Sequence, residues 1–124
     1  MRRTLRLRTR SVLALLGFFS VMVILGAVPG EAEALSAHFG DKLLHALAFG
    51  FMTVLAHHAV IGPRNLRALV SVAFIAMLGL VDEGIQYFLA YRNASLLDWC
   101  FDVSAAVIMA SLLCLWQHPV PETH

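Results

Sequence analysis

The chain arranges its apolar residues in four long runs separated by short polar breaks. The first run, Ser11 to Pro29, carries no charge. It is about the ~20 residues that a helix needs to cross a bilayer. The second, Leu43 to Ile61, is interrupted by His45 and by His57-His58. The third, Ala68 to about Ala90, holds Asp82 and Glu83 in its second half, and the fourth, about Leu97 to Trp116, holds Asp98 and Asp102 near its start. Gly62-Pro63-Arg64-Asn65 predicts a tight loop and Arg92-Asn93-Ala94-Ser95 a turn. Ser95 or Asp98 is positioned to cap the last helix, which Pro119 and Pro121 end. The pattern predicts an all-α, four-span transmembrane bundle over 11–116 (spans about 11–29, 43–61, 68–90 and 97–116). A basic arm over 1–10 precedes it and a tail over 117–124 follows it.

Composition supports a bilayer as solvent. The 124 residues are 60% hydrophobic and only 14% charged, whereas soluble domains are about 25% charged. The net charge of +1 provides no bulk field for nucleic acid, and no nucleic-acid partner is expected. Cys100 and Cys114 would lie about 21 Å apart along one helix, too far to bridge, and read as small buried hydrophobes. Trp99, Trp116, Tyr87 and Tyr91 fall near span ends, as an interfacial aromatic belt requires. Gly26-x-x-x-Gly30 fits a small-residue helix contact but encloses Pro29. Ala32-Glu33-Ala34 fits a signal-peptidase site. The run before it exceeds the roughly 7–15 apolar residues of a signal peptide, so a retained span is expected.

Charge fixes an orientation. Arg2, Arg3, Arg6, Arg8, Arg10, Arg64 and Arg67 fall on one side of a four-span arrangement, and only Lys42 and Arg92 on the other. The positive-inside rule then puts both termini in the cytoplasm. The arginines of the arm also suit contact with anionic lipid, and His57-His58 read as an interfacial pair at the inner end of the second span.

The acids carry the functional signal. A carboxylate in hydrocarbon costs roughly 2.5–3.5 kcal/mol on insertion scales and persists where it pairs, lines a wet cavity or does chemistry. Whatever the orientation, helix parity brings Asp41, Lys42 and His45 to the same membrane side as Asp82, Glu83, Gln86, Arg92, Ser95, Asp98 and Asp102. Asp41 and His45, Asp82 and Gln86, and Asp98 and Asp102 are all i,i+4 pairs, so each shares one helix face. Polar stripes on three helices at similar depth should face one another. Five carboxylates then meet Lys42, Arg92 and His45. A bound cation, protonated carboxyls or a cationic ligand group would restore the balance. Alternatively, Arg92–Asp98 and Lys42–Asp82 pairs would form a polar plug that locks the bundle.

Asp41-Lys42-x-x-His45-x-x-x-Phe49, Asp82-Glu83-x-x-Gln86-x-Phe88 and Arg92-x-x-Ser95-x-x-Asp98 together resemble the VanZ-like family of small bacterial membrane proteins. The likeness runs from Asp41 into the fourth span. Where the family's last motif continues to an Asn and then a Gly, this chain holds Asp102 and Ala105. The resemblance implies a multi-span protein of the bacterial cytoplasmic membrane with a role in the cell envelope, in a family named for low-level teicoplanin resistance. A phosphotransbutyrylase activity, a label some relatives carry, finds no Gly-rich phosphate loop here.

Three functional classes follow. In the first, an outward-facing pocket binds a lipid-linked envelope precursor or a lipoglycopeptide. Arg92 and Lys42 meet its anionic groups, and Asp41, Gln86, Ser95, Asp98 and Asp102 meet cationic or hydroxyl groups. In the second, a membrane-embedded hydrolase or transferase uses His45 and Glu83 as acid and base with Asp82 beside them. A carboxylate such as Asp41 or Asp98 would orient the imidazole. The third is proton-coupled transport through the buried acids, which four spans without a second repeat do not favour. A divalent metal on His45 and the acids fits the donor types but not the ligand motifs of zinc enzymes.

Overall fold

The computed structural model describes residues 1–27, 41–89 and 95–116, with Asp41 and Lys42 described by their backbone alone. These residues form four helices: α1 (Arg2–Ala27), α2 (Asp41–Ala59), α3 (Arg64–Phe88) and α4 (Leu96–Trp116). Three of them, α1, α3 and α4, are long and apolar enough to cross a membrane, and α2 is a shorter apolar helix. The all-helical architecture expected from the sequence is therefore present.

Several boundaries move. α1 begins at Arg2 rather than Ser11, because Leu, Arg and Thr continue the helix into the basic arm without a Gly or Pro to stop it. Its described residues run to Ala27, and Pro29 lies beyond them. The predicted loop at Gly62-Pro63-Arg64-Asn65 is only half loop. Gly62 takes a φ of +135° that L side chains rarely adopt. Pro63, extended at φ −64° and ψ 157°, is already the N-cap of α3. Arg64 and Asn65 belong to its first turn.

α2 is the central element and packs against each of the other three helices. Its inward stripe is Phe49, Met52, Thr53, Ala56 and His57, all buried, at the spacing of one helix face. Around it close Leu15 from α1, Ile75 from α3 and Ala106 from α4. Phe18, Phe19 and Met22 continue the α1 seam. The outer surface is apolar in the manner of a lipid-facing shell, with Leu13, Ile24, Leu69 and Ile108 each more than 60% exposed.

One close approach sets the spacing of three helices. A Cβ added at Gly79 in α3 would lie 3.0 Å from Trp99 Cδ1 in α4 and 3.5 Å from Phe49 Cε1 in α2. Trp99 therefore lies partly buried across α3, and its indole N–H donates to the Ala76 carbonyl at 2.9 Å. It is an interhelical strut, whereas Tyr87 and Trp116 are exposed as belt residues should be. Gly26, by contrast, makes no such approach to the described residues, since a Cβ there would meet none of them within 4 Å. Its partner in the small-residue motif, Gly30, and Tyr91 lie outside the described residues.

The basic end is joined by arginines. Arg8 donates to the Val60 carbonyl (2.7 Å), Arg64 to the Cys114 carbonyl (2.7 Å), and Arg67 to the His57 carbonyl through both Nε (3.0 Å) and Nη2 (2.9 Å). The His57 and Cys114 carbonyls lie in the last turns of α2 and α4, where carbonyls lack intrahelical partners and the dipole favours a cation. These contacts place the start of α1 and α3 beside the end of α2 and α4, an up-down-up-down arrangement. His57, expected at the interface, is instead fully enclosed while His58 is exposed. The two residues sit 100° apart on the helix, and the i+8 position from Phe49 turns His57 inward. Cys100 and Cys114 are free thiols. Cys100 is exposed rather than buried, and Cys114 is partly so.

Overpacking a tight contact costs about 1–3 kcal/mol, whereas an interhelical hydrogen bond in a membrane contributes on average about 0.6 kcal/mol. Gly79→Leu is therefore expected to lower unfolding stability in mixed micelles by about 2 kcal/mol, and Trp99→Phe by less than half as much. An inverted order would show that the bond, not the spacing, holds α3 to α4.

Candidate functional site

The polar end of the bundle is built on the same helix faces that make the core. In α3 the buried stripe runs Ser71, Ile75, Gly79, Asp82, Glu83, Gln86. It changes from apolar to polar along one face without turning outward. In α4 the stripe is Asp102, Ala106, Ala110. The acids thus point where the core residues point, and the up-down-up-down order brings the start of α2, the end of α3 and the start of α4 together.

His45 and Asp102 form the link between α2 and α4. His45 Nδ1 lies 2.8 Å from Asp102 Oδ1, and the Asp102 side chain has no exposure at all while that of His45 is 14% exposed. With the carboxylate ionised, Oδ1 accepts from Nδ1–H in this contact. The imidazole also stacks on Phe49 one turn further along α2, with ring centroids 5.9 Å apart and planes within 3°. Both contacts fix the ring plane. The carboxylate seen on the imidazole is that of Asp102, one turn deeper in α4 than Asp98, while the side chain of Asp41 lies outside the described residues.

A second set of bonds joins α3 to the entry of α4. Gln86 Nε2 donates to Asp82 Oδ2 at 2.9 Å, as the i,i+4 spacing predicts. Glu83 Oε2 accepts the Ser95 backbone N–H at 2.9 Å. Ser95 Oγ in turn accepts the Leu97 N–H at 3.2 Å, so Ser95, rather than Asp98, is the N-cap of α4. Glu83 Oε1 is buried and has no hydrogen-bond partner among the described residues. Asp82, Asp98 and Asp102 lie within electrostatic range of Glu83, which places the two sets of bonds in one acidic cluster.

The structure therefore brings together His45, Asp82, Glu83, Gln86, Ser95, Asp98 and Asp102. Asp41 and Lys42 open α2 at the same end, but their side chains, and Arg92 entirely, lie outside the described residues. The same holds for the expected Arg92–Asp98 and Lys42–Asp82 pairs. Among the described residues, no three His, Cys, Asp or Glu side chains are grouped so as to hold a metal ion. The sequence reading missed the Gly79, Trp99 and Phe49 junction directly beneath the cluster. Gly79 lies four residues before Glu83 on the same face, and a glycine at that position inside an apolar helix is the signal that marks it.

Comparison with protein-family models, with curated proteins and with solved structures finds no match to this chain.

Removing one member of a buried hydrogen-bonded pair leaves the other unsatisfied, at about 1–3 kcal/mol, and removing both avoids that term. The cycle of His45→Phe, Asp102→Leu and the double variant is therefore expected to show single losses in that range and a double loss smaller than their sum. Mixed-micelle unfolding measures it, and strictly additive losses would mean that the two side chains do not depend on each other.

Proposed function

We propose that this protein crosses a bacterial cytoplasmic membrane four times, with both termini inside. The polar end of its bundle would then recognise the headgroup of a lipid-linked cell-envelope precursor or of a lipoglycopeptide such as teicoplanin. Glu83 carries the proposal. One oxygen of its carboxylate is held by Ser95, and the other is buried without a partner among the described residues. An ammonium or hydroxyl group of a bound molecule satisfies such an acceptor, and the surplus of acids over bases around it favours a cationic donor. On this reading Arg92 and Lys42, at the rim, meet anionic groups of the same ligand.

The span beyond the three long apolar helices is α2. Its 19 residues reach about 28 Å at 1.5 Å per residue, close to the roughly 30 Å hydrocarbon core. Its position among the other helices shelters Thr53 and His57 from lipid. Orientation rests on the arginine bias, and the envelope role on the resemblance to VanZ-like proteins.

A second reading has its own support in the His45–Asp102 contact. A carboxylate that orients an imidazole through Nδ1 is a pairing that general bases use. With Glu83 as proton donor, it suits hydrolysis or group transfer on a lipid-linked substrate.

Titration of the purified protein in nanodiscs with a polyprenyl-linked muropeptide and with teicoplanin tests both. Saturable binding of at least one is expected, with Glu83→Gln weakening it about tenfold, some 1.4 kcal/mol. His45→Asn would leave affinity largely intact, and would abolish turnover if the protein is an enzyme. A parent protein that binds neither probe and turns over neither, with or without added divalent metal, would sink the proposal. Orientation is checked separately. Reporters fused at either terminus should be active only when they report a cytoplasmic location, and activity of periplasmic reporters there would reverse the bundle.

A further inference from the structure

At the end of the bundle opposite the acidic cluster, α1 and α2 part around a groove of about 470 Å³, within the range of small-ligand clefts. From Leu15 onward the α1 face toward α2 is apolar and packed. Over the three turns before it the same face presents Thr4, Arg8 and Ser11, and these, with Arg10 and His58, are the polar lining of the groove. The seam between the two helices thus opens where its residues change from apolar to basic.

We infer that this groove is a binding site for an anionic glycerophospholipid of the surrounding leaflet. The donors for its phosphate are Arg8, Arg10 and His58. The two hydroxyls are not donors, because Thr4 gives its proton to the Met1 carbonyl and Ser11 to the Leu7 carbonyl. Arg8 is held in place by its 2.7 Å bond to the Val60 carbonyl. A guanidinium with five N–H groups keeps donors for a second acceptor after making that bond. Arg10 and His58 are exposed; Arg10 supplies the remaining fixed positive charge and His58 a ring N–H donor. Among the described residues, no acidic side chain lines the groove.

The apolar lining selects a lipid over a soluble phosphate compound. Leu7, Ala14 and Leu55 form it, and Leu7 and Ala14 are exposed. They lie on a helix whose flanks, Leu13 and Leu16, face outward as well. An acyl chain rising from the phosphate covers these side chains, and a free phosphate ester leaves them wet. Basic pockets between helices on one membrane face bind anionic headgroups by this combination of charge and chain.

The test is native mass spectrometry of the full chain released from micelles holding equal amounts of phosphatidylglycerol and phosphatidylcholine. The parent is expected to retain one phosphatidylglycerol in clear preference. Arg10→Gln should reduce that preference about fivefold, the weight of one basic residue near a membrane surface. Ala14→Phe should abolish retention by filling the groove without changing charge. Arg2→Gln, which alters the same basic arm outside the groove, should leave retention unchanged. Arg8→Gln also removes the Val60 contact, so Arg10 and Ala14, which carry no such bond, decide the matter if the Arg8 variant unfolds. Equal retention of both lipids, or an Arg2→Gln loss as large as that of Arg10→Gln, would overturn the site in favour of diffuse attraction. Displacement of the lipid by equimolar glycerol 3-phosphate would overturn it in favour of a soluble ligand.

Discussion

Asp102 has no contact with solvent, and a carboxylate in that position must be held by the protein. His45 holds it, from another helix and at 2.8 Å. Much of the polar end follows from that requirement. The acid lies on the core-facing stripe of α4, so its partner must lie on the core-facing side of α2. α2 must then be enclosed by its neighbours rather than exposed to lipid. The imidazole, fixed at Nδ1 and stacked on Phe49, brings the first turns of α2 and α4 to the same level. Glu83 from α3 joins them through the Ser95 amide, because that amide begins α4 and has no carbonyl of its own helix to bond.

The two ends of the bundle solve the same problem with opposite charge. Helix starts expose N–H groups and helix ends expose carbonyls. At one end an acid and a hydroxyl serve the start of α4. At the other, Arg64 and Arg67 serve carbonyls in the last turns of α4 and α2, and Arg8 serves Val60 just beyond the end of α2. The middle of the bundle contains neither solution. It is filled by Phe49, Met52, Ile75 and Ala106, with Thr53 and Ser71 turning their hydroxyls back onto the carbonyls four residues earlier in their own helices.

Much of this was legible in the residues. Apolar run length gave the four helices, and i,i+4 spacing gave the Asp82–Gln86 bond. Parity gave the meeting of His45, Glu83 and Asp102, since it depends only on chain direction. What was not legible depended on rotation. Nothing in the order of residues says that His57 turns inward while His58 turns outward, or that Trp99 lies across Gly79 rather than in an aromatic belt. Such choices are made by packing against a neighbour that local sequence does not contain. The start of α1 was missed for a simpler reason. Hydropathy marks where lipid ends, and a helix of Leu and Arg continues past that point at no cost to its backbone.

The arginines that cap carbonyls reach across chain separations of very different length. Arg67 meets His57 only ten residues back, a contact that exists as soon as the α2–α3 hairpin closes. Arg8 waits for Val60, 52 residues later, and Arg64 for Cys114, 50 residues later. In a chain made from its N-terminus, each of these two contacts can form only after the later helix exists. The bundle therefore gains these fastenings in the order of synthesis, and the last of them closes only when the end of α4 is in place.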